Sequence, residues 1–454
     1  MGELFGTDGI RGHANQYPIT PEMSLRVGKA AAIYFGGQTS QARPKVVIGK
    51  DTRLSGDMIE SALVSGLCSL GADVILTGVL PTPGVAYLTS HLKADAGIVV
   101  SASHNPFHDN GIKFFNAHGF KLSDSIENDI EQLILGSDLT ASDLADNGIG
   151  RLQTVADSRK QYHDFLVRKF PNDIQPQLNK LKIAIDCANG ATSMVAPDLF
   201  RKLGIHVIDL ATTPDGININ ANCGSQHPEE LAQTVVDAGC HVGFAFDGDG
   251  DRLIAVDEQG TILSGDQLIA IFAKDLQERD VLSNRTVVTT VMSNLGLGKA
   301  LNEMHVRHLK SAVGDRYVMQ EMVAAEAILG GEDSGHIIFL NQHTTGDGLL
   351  AALQMIRILA SRPTRMSDLA KVMVVFPQIL INVDVKAKPP IADIPGLADA
   401  MAKTEKKLGD QGRILIRYSG TQPMCRVMVE ATTEEEANKY CEHLADIIRL
   451  KIGK

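Results

Sequence analysis

Four times in this chain a short apolar run leads straight into a polar, glycine-bearing loop: GIVVSASHNP, VGFAFDGDGDR, AILGGEDSGH and RILIRYSGTQP. An uninterrupted apolar run of this length is a strand buried on both faces, which requires layers above and below it. Helical patterns supply those layers. In residues 58–70, Ile59, Ala62, Leu63, Leu67 and Leu70 fall on one face, and Gly71 stops the helix before the strand ADVILTG. The strands KVVIG (45–49), AGIVVSA (96–102), LKIAID (181–186), VGFAFD (242–247) and RTVVTTVM (285–292) repeat the alternation, with a helical pattern over 348–360. The expected fold class is therefore α/β, with mixed or parallel sheets covered on both faces.

At 454 residues the chain exceeds one ordinary core and calls for three or four domains of roughly 100–150 residues. The polar stretch 136–150 separates the first from the second, a third begins after Asp257, and a fourth begins near Thr364. The expected ranges are 1–155, 156–257, 258–364 and 365–454. The last changes character: the strands ILINVDV, RILIRYS and RVMVEA precede a helix opened by Thr433-x-x-Glu436, a capping-box pattern, so a small α+β domain is expected. Loops at strand ends are where α/β folds hold ligands, so the four loops are expected to converge on one central cleft.

The net charge of −11 argues against nucleic acid or an anionic membrane as a partner, and any phosphate site must be built locally. The six cysteines are scattered without a C-x-x-C pair, which fits neither a zinc site nor a disulfide scaffold. The first residues lack a basic stretch followed by an apolar core, and no window approaches the apolar length of a membrane span, so a cytoplasmic protein is expected.

The loop Asp247-Gly-Asp249-Gly-Asp251-Arg252 puts three carboxylates on alternate residues, with glycines that let the chain curl and aim them inward. Each adjacent pair would repel by about 4 kcal/mol at a separation of about 4 Å and an effective dielectric near 20, so a cation is needed, and hard oxygen ligands point to Mg²⁺. An EF-hand would also place Asp247, Asp249, Asp251 and Glu258 at loop positions one, three, five and twelve. It fails because Arg252 stands where glycine is required and the flanks read as strands. A phosphatase with an aspartyl nucleophile stays open on this motif alone.

Ser103 and His104 put a hydroxyl beside an imidazole after a buried strand. Lys113, amid apolar residues in GIKFF, reads either as a snorkelling surface lysine or as a desolvated acid/base of lowered pKa. The segments FGTDGIRG, with Arg11, and Gly49-Lys50-Asp51-Thr52-Arg53 combine glycine turns with cations, as anion binding requires. Arg417, Ser419, Gly420, Thr421 and Arg426 make a stronger cradle for a phosphate dianion. Glu332, Asp333, Ser334 and His336 share one loop suited to a hydroxyl-bearing ligand, and its carboxylates also suit an ammonium group.

FGTDGIRG, SASHNP with GIKFF, DGDGDR, GGEDSGH and RYSGTQP, in this order and over essentially the whole chain, resemble the α-D-phosphohexomutase superfamily. DCANGAT, VGDRYV and TTGDG are similar to its bacterial branch acting on glucosamine phosphate. The resemblance implies three α/β domains of like topology and a smaller fourth around a deep cleft. It implies a phosphoserine at Ser103 that completes a site for one Mg²⁺ with Asp247, Asp249 and Asp251. The implied reaction interconverts glucosamine 6-phosphate and glucosamine 1-phosphate through a bisphosphosugar, supplying cell-wall amino-sugar nucleotides. The same chemistry on mannose or glucose phosphate is the alternative. By motif position Arg11, His104, Lys113 and His336 take acid/base or charge-stabilising roles, Arg252, Glu332 and Ser334 meet the sugar, and Arg417, Ser419, Gly420, Thr421 and Arg426 hold the idle phosphate. A homodimer is a candidate assembly.

Overall fold

The computed structural model describes residues 2–6, 8–39, 43–136, 139, 148–170, 175–419 and 423–454. They form two compact units, one of Met1–Val291 with Val306–Val372, the other of Met292–His305 with Met373–Lys454.

The larger unit holds three mixed sheets. The first comprises Ile10–His13 (β1), Lys45–Lys50 (β2), Asp73–Val79 (β3), Ala96–Val100 (β4), Asp109–Asn116 (β5) and Leu152–Thr154 (β6), in the order β1-β5-β4-β2-β3-β6. The second orders Lys182–Asp186 (β7), His206–Leu210 (β8), Val242–Phe246 (β9), Leu253–Asp257 (β10) and Ile262–Leu263 (β11) as β11-β10-β9-β7-β8. In the third, Thr286–Thr290 (β12), Arg307–Ser311 (β13), Leu329–Gly331 (β14) and Ile337–Phe339 (β15) run β13-β12-β14-β15. Each has a parallel centre. Strands β4 and β9 are buried at every residue, which explains their unbroken apolar sequence.

One device recurs in all three sheets. A central strand turns back into an antiparallel neighbour: β4 into β5, β9 into β10, β14 into β15. The connecting loops are SASHNP, DGDGD and GEDSGH. Equivalent hairpins thus present the loops singled out by sequence. The helix expected over 58–70 spans Gly56–Ser69 and packs on Pro21–Gly36 so closely that a Cβ on Gly28 would lie 2.4 Å from the Leu63 carbonyl oxygen, and one on Gly66 2.2 Å from that of Leu25.

The helix Gly348–Ser361 begins at Asp347, whose Oδ1 accepts from the Leu350 amide at 2.9 Å while Oδ2 accepts from the Tyr162 hydroxyl at 2.9 Å. Burial pushes the Asp347 carboxyl up to about 7. A carboxyl raised in the folded state favours folding below its unfolded pKa, near 4, and that contribution is lost as pH rises through about 7. Melting temperature is expected to fall across this window by more in the unmodified protein than in Asp347→Asn, which keeps the cap but does not titrate.

The smaller unit carries Gln378–Asp384 (β16), Arg413–Tyr418 (β17) and Met424–Glu430 (β18) as an antiparallel sheet in the order β16-β18-β17. The helix Glu434–Ile452 covers it. Thr433 accepts from the Glu436 amide at 3.2 Å as a cap should, but the Glu436 carboxylate accepts from Thr432 Oγ1, so half of the expected box forms. The segment Met292–His305 belongs here through fully buried Glu430, which takes the Leu295 amide at 3.0 Å and Arg413 Nε at 2.6 Å. Among the described residues no helix is long and apolar enough to cross a membrane.

Candidate active site

Ser103 lies within the first turn after β4, which the Asn105 amide closes on the Ala102 carbonyl, and has φ of +53°, a left-handed conformation that a non-glycine residue holds only when its surroundings fix it. Those surroundings are explicit. Its amide donates to Ser101 Oγ at 2.9 Å, and Ser101 donates to Asp51 Oδ2 at 2.6 Å. Its carbonyl accepts from Arg53 Nη2 and from Asn220 Nδ2, both at 2.9 Å. Arg53 also donates to the carbonyls of Asn105, Asp109 and Pro106 and pairs with Asp51 at 2.8 Å, with both side chains fully buried. Arg53 therefore clamps the serine loop and is not an anion ligand, as its segment had suggested; Lys50 is taken up by Asp57 and Glu60.

This frame aims Ser103 Oγ at the second sheet, where it donates to Asp247 Oδ2 at 2.5 Å. His104 Nδ1 stands farther, at 3.4 Å. Asp247, Asp249 and Asp251 are all buried and offer oxygens that lie within 4.8 Å of one another. Gly190 lets this loop settle, since a Cβ there would meet the Gly248 carbonyl oxygen at 2.3 Å. Burial, then the charges of Asp251 and Asp249, push the Asp247 carboxyl well up. Oδ1 of Asp249 and Oδ1 of Asp251 are buried without hydrogen-bond partners. Buried carboxylate oxygens left unmatched beside a serine hydroxyl fit a hard divalent cation.

Lys113 is 1% exposed, with Nζ 2.7 Å from Asp249, 3.2 Å from Asp8 and 3.8 Å from Asp251. Burial alone would lower its pKa, but these carboxylates, Asp249 first, outweigh burial and hold the ammonium well above its ordinary range. Both sequence readings of this lysine need correction: it neither snorkels nor has a lowered pKa. His104 behaves oppositely. Burial, then Arg252 and Arg11, depress it to about 4, so its ring is neutral at physiological pH. His336, at the end of the third hairpin, puts Nδ1 3.5 Å from Asp251, whose charge raises its pKa against the effect of burial. Its Nε2 lies 3.2 Å from the Gly346 amide nitrogen and 3.5 Å from Asp315 Oδ2. A Cβ on Gly346 would lie 2.5 Å from that ring.

Arg11 pairs with Asp8. Arg252 Nε, 3.9 Å from Asp251 Oδ1, and the Ser334 hydroxyl are buried without hydrogen-bond partners. Glu332 accepts from the Gly314 amide at 3.0 Å, and burial followed by the charge of Asp315 raises its pKa. Asp333, the extra carboxylate of this loop, is exposed. In the smaller unit Arg417 and Arg426 lie directly opposite on β17 and β18, and each has a buried Nε without a partner. Like charges across a strand pair are unfavourable without an anion to share them. Buried Ser419 follows β17 directly, its carbonyl accepting from Lys388 at 2.7 Å, whereas Gly420 and Thr421 lie outside the described residues.

The larger unit thus brings together Ser103, His104, Lys113, the three aspartates, Arg252, Glu332 and His336. Sequence reasoning missed Asp8, Lys121, Asp315 and Thr82. Thr82 donates to Asp249 at 2.7 Å. Asp8 and Asp315 lie inside motifs that were read for other members, while Thr82 and Lys121 carry no local signal.

A buried serine hydroxyl held against an acidic triad, with loops for a polar ligand, defines a phosphosugar mutase class. The phosphoglucomutase/phosphomannomutase alpha/beta/alpha domains I, II and III match residues 2–140, 160–260 and 264–376, and the C-terminal domain matches 380–447. The chain belongs to the phosphoglucomutase/phosphomannomutase family. Within it, the chain is 53% identical to the phosphoglucosamine mutase of Syntrophus aciditrophicus and 50% identical to that of Syntrophobacter fumaroxidans, each alignment covering 100% of both chains. A phosphoglucomutase/phosphomannomutase family protein from Burkholderia thailandensis superposes with a TM-score of 0.80 at 25% identity, covering 98% of this chain and 97% of that one. The Aspergillus fumigatus N-acetylphosphoglucosamine mutase, solved with GlcNAc-6P and magnesium, gives 0.70 at 15% identity, with 99% and 96% covered, and shares the fold.

Proposed function

We propose that this chain interconverts glucosamine 6-phosphate and glucosamine 1-phosphate through phospho-Ser103 and glucosamine 1,6-bisphosphate. The observation that carries the reading is the 2.5 Å contact of Ser103 Oγ with Asp247 inside the buried aspartate triad. Full-length similarity to phosphoglucosamine mutases supports the choice of sugar.

In the forward direction the bond between phosphorus and Ser103 Oγ breaks as one forms to O1 of glucosamine 6-phosphate. The bisphosphate then turns, and the phosphoryl group on O6 returns to Ser103. Neutral His104 is suited to accept the proton leaving the sugar hydroxyl, and His336 to exchange one from the third hairpin. Lys113, whose ammonium form the surrounding carboxylates favour, is suited to stabilise charge spread over the moving phosphoryl oxygens. Asp247, Asp249 and Asp251 with phospho-Ser103 would hold one Mg²⁺, which when bound supplies Lewis-acid charge to the transferring group. Arg252, Glu332 and Ser334 would bind the sugar, and Arg417, Ser419, Gly420, Thr421 and Arg426 the phosphate that is not reacting. The expected ranges 1–155, 156–257, 258–364 and 365–454 would then carry phosphoserine, metal, sugar and idle phosphate respectively, in a cytosolic enzyme for which a homodimer is the candidate assembly.

Turnover of glucosamine, glucose and mannose 6-phosphates with Mg²⁺ and catalytic bisphosphosugar tests this. The amino sugar is expected to lead in kcat/KM by about 100-fold, short of the roughly 10⁴-fold by which a polar site rejects an analogue lacking its hydrogen-bonding group, because the neutral sugars still carry a hydroxyl at C2, and chelation should abolish the reaction. Preference for a neutral sugar would overturn the amino-sugar assignment, and release of inorganic phosphate alone would overturn the mutase reading.

A further inference from the structure

Charged side chains around the triad alternate in sign and close on themselves. Asp249 accepts from Lys113 at 2.7 Å, and Lys113 lies 3.2 Å from Asp8. Asp8 accepts from Lys121 at 2.5 Å, and Lys121 also donates to Asp315. Asp315 Oδ2 stands 3.5 Å from His336 Nε2, His336 Nδ1 stands 3.5 Å from Asp251, and Asp251 returns to Lys113 at 3.8 Å. Part of this ring is the reacting machinery described above. The arc Asp8–Lys121–Asp315 is not.

That arc joins two layers. Lys121 lies between β5 and the helix Asp124–Leu135, on the Ser103 side; Asp315 opens the helix Asp315–Ala324, on the His336 side. The Lys121 and Asp315 side chains are 11% and 12% exposed. A charge so enclosed is tolerated when its partners are held, and removing one partner strands the other. The neighbouring Arg316 offers an internal comparison. It reaches the same first layer through Asp124 and, at 2.6 Å, through Glu127, and its side chain contacts neither the triad nor the ring.

We propose that Lys121, clasped by Asp8 and Asp315, is a positioning residue for phosphoryl transfer: it fixes His336 and Lys113 relative to Ser103 by closing the ring across two sheets. The proposal rests on the reading that Ser103 carries the transferred group. Because a displacement of about 1 Å at a reacting centre costs up to 10²-fold in rate, opening the ring should act on kcat more than on substrate affinity.

The test compares Lys121→Met, Asp315→Leu, their double variant, Lys121→Arg and Arg316→Met by thermal melting and by steady-state kinetics with Mg²⁺. Lys121→Met is expected to lower kcat by about 30-fold with KM changed less than about threefold, and Lys121→Arg should recover much of the loss. Arg316→Met should lower the melting temperature with kcat within about twofold. The double variant should be less impaired than the two single effects combined, in melting as in kcat. A raised KM with unchanged kcat would make Lys121 a substrate ligand and overturn the proposal. An equal kcat loss in Arg316→Met would reduce the arc to a tie between layers and overturn it too. Should the unmodified protein transfer no phosphoryl group, the functional reading falls; melting effects that couple would still uphold the Lys121–Asp315 joint, and additive ones would overturn it.

Discussion

Ser103→Ala is expected to lose at least about 10⁴-fold in interconversion while melting within a few degrees of the unmodified protein. The large kinetic effect follows from chemistry: alanine has no oxygen to carry the phosphoryl group, and no neighbouring group described here replaces it. The small structural effect follows from the frame. Alanine tolerates the +53° φ about as poorly as serine does, and the backbone bonds to Ser101, Arg53 and Asn220 persist. The interactions lost are the longer contact with His104 Nδ1 at 3.4 Å and the hydrogen bond to Asp247, whose carboxyl is already pushed up by burial and by the neighbouring aspartates. Steady-state rates with all three hexose 6-phosphates, together with a melting curve, check both halves. Undiminished turnover would exclude Ser103 as carrier and leave an aspartyl nucleophile as the reading to pursue.

Arg53→Met is expected to destabilise the larger unit by about 3–5 kcal/mol, the cost of stranding one member of a buried ion pair, and to cut activity more than 100-fold in whatever protein still folds. The variant leaves Asp51 without its cation and deprives the carbonyls of Ser103, Asn105, Pro106 and Asp109 of a shared donor. Arg53→Lys should rescue little, because a single ammonium cannot span carbonyls that a planar guanidinium reaches from two ends. Denaturant unfolding monitored beside kcat measures both effects. A variant that folds normally and works normally would show that the serine loop holds its strained turn without the clamp.

The contrast between these two residues marks what could be read in advance. Ser103 and the aspartates announce themselves because strand-then-loop grammar and alternating carboxylates are local patterns, and in the structure each such loop is a hairpin beside a parallel strand. Arg53 was legible only as a cation near a glycine; whether it faces a ligand or a set of carbonyls depends on the burial of its segment by others far along the chain. Lys113 failed for a related reason. Its apolar neighbours in sequence suggested desolvation alone, whereas its neighbours in space are carboxylates from residues 8, 249 and 251. The allegiance of Met292–His305 to the smaller unit was likewise invisible, because a helix pattern states which face is apolar but not what will cover it.

The split of the smaller unit along the chain sets the order in which its parts are made. Leu297 and Leu301, buried in the finished protein, leave the ribosome before the rest of their unit, which starts again at Met373. At 5–20 residues per second, the intervening stretch of roughly 70 residues takes about 4–14 s to synthesise. For that interval the helix Leu295–Glu303 is a greasy segment without its covering layer, flanked by strands of the third sheet that are free to pair. Translation speed through 306–372, and any chaperone waiting at the tunnel exit, therefore bear on yield in a way that the stability of the completed fold does not.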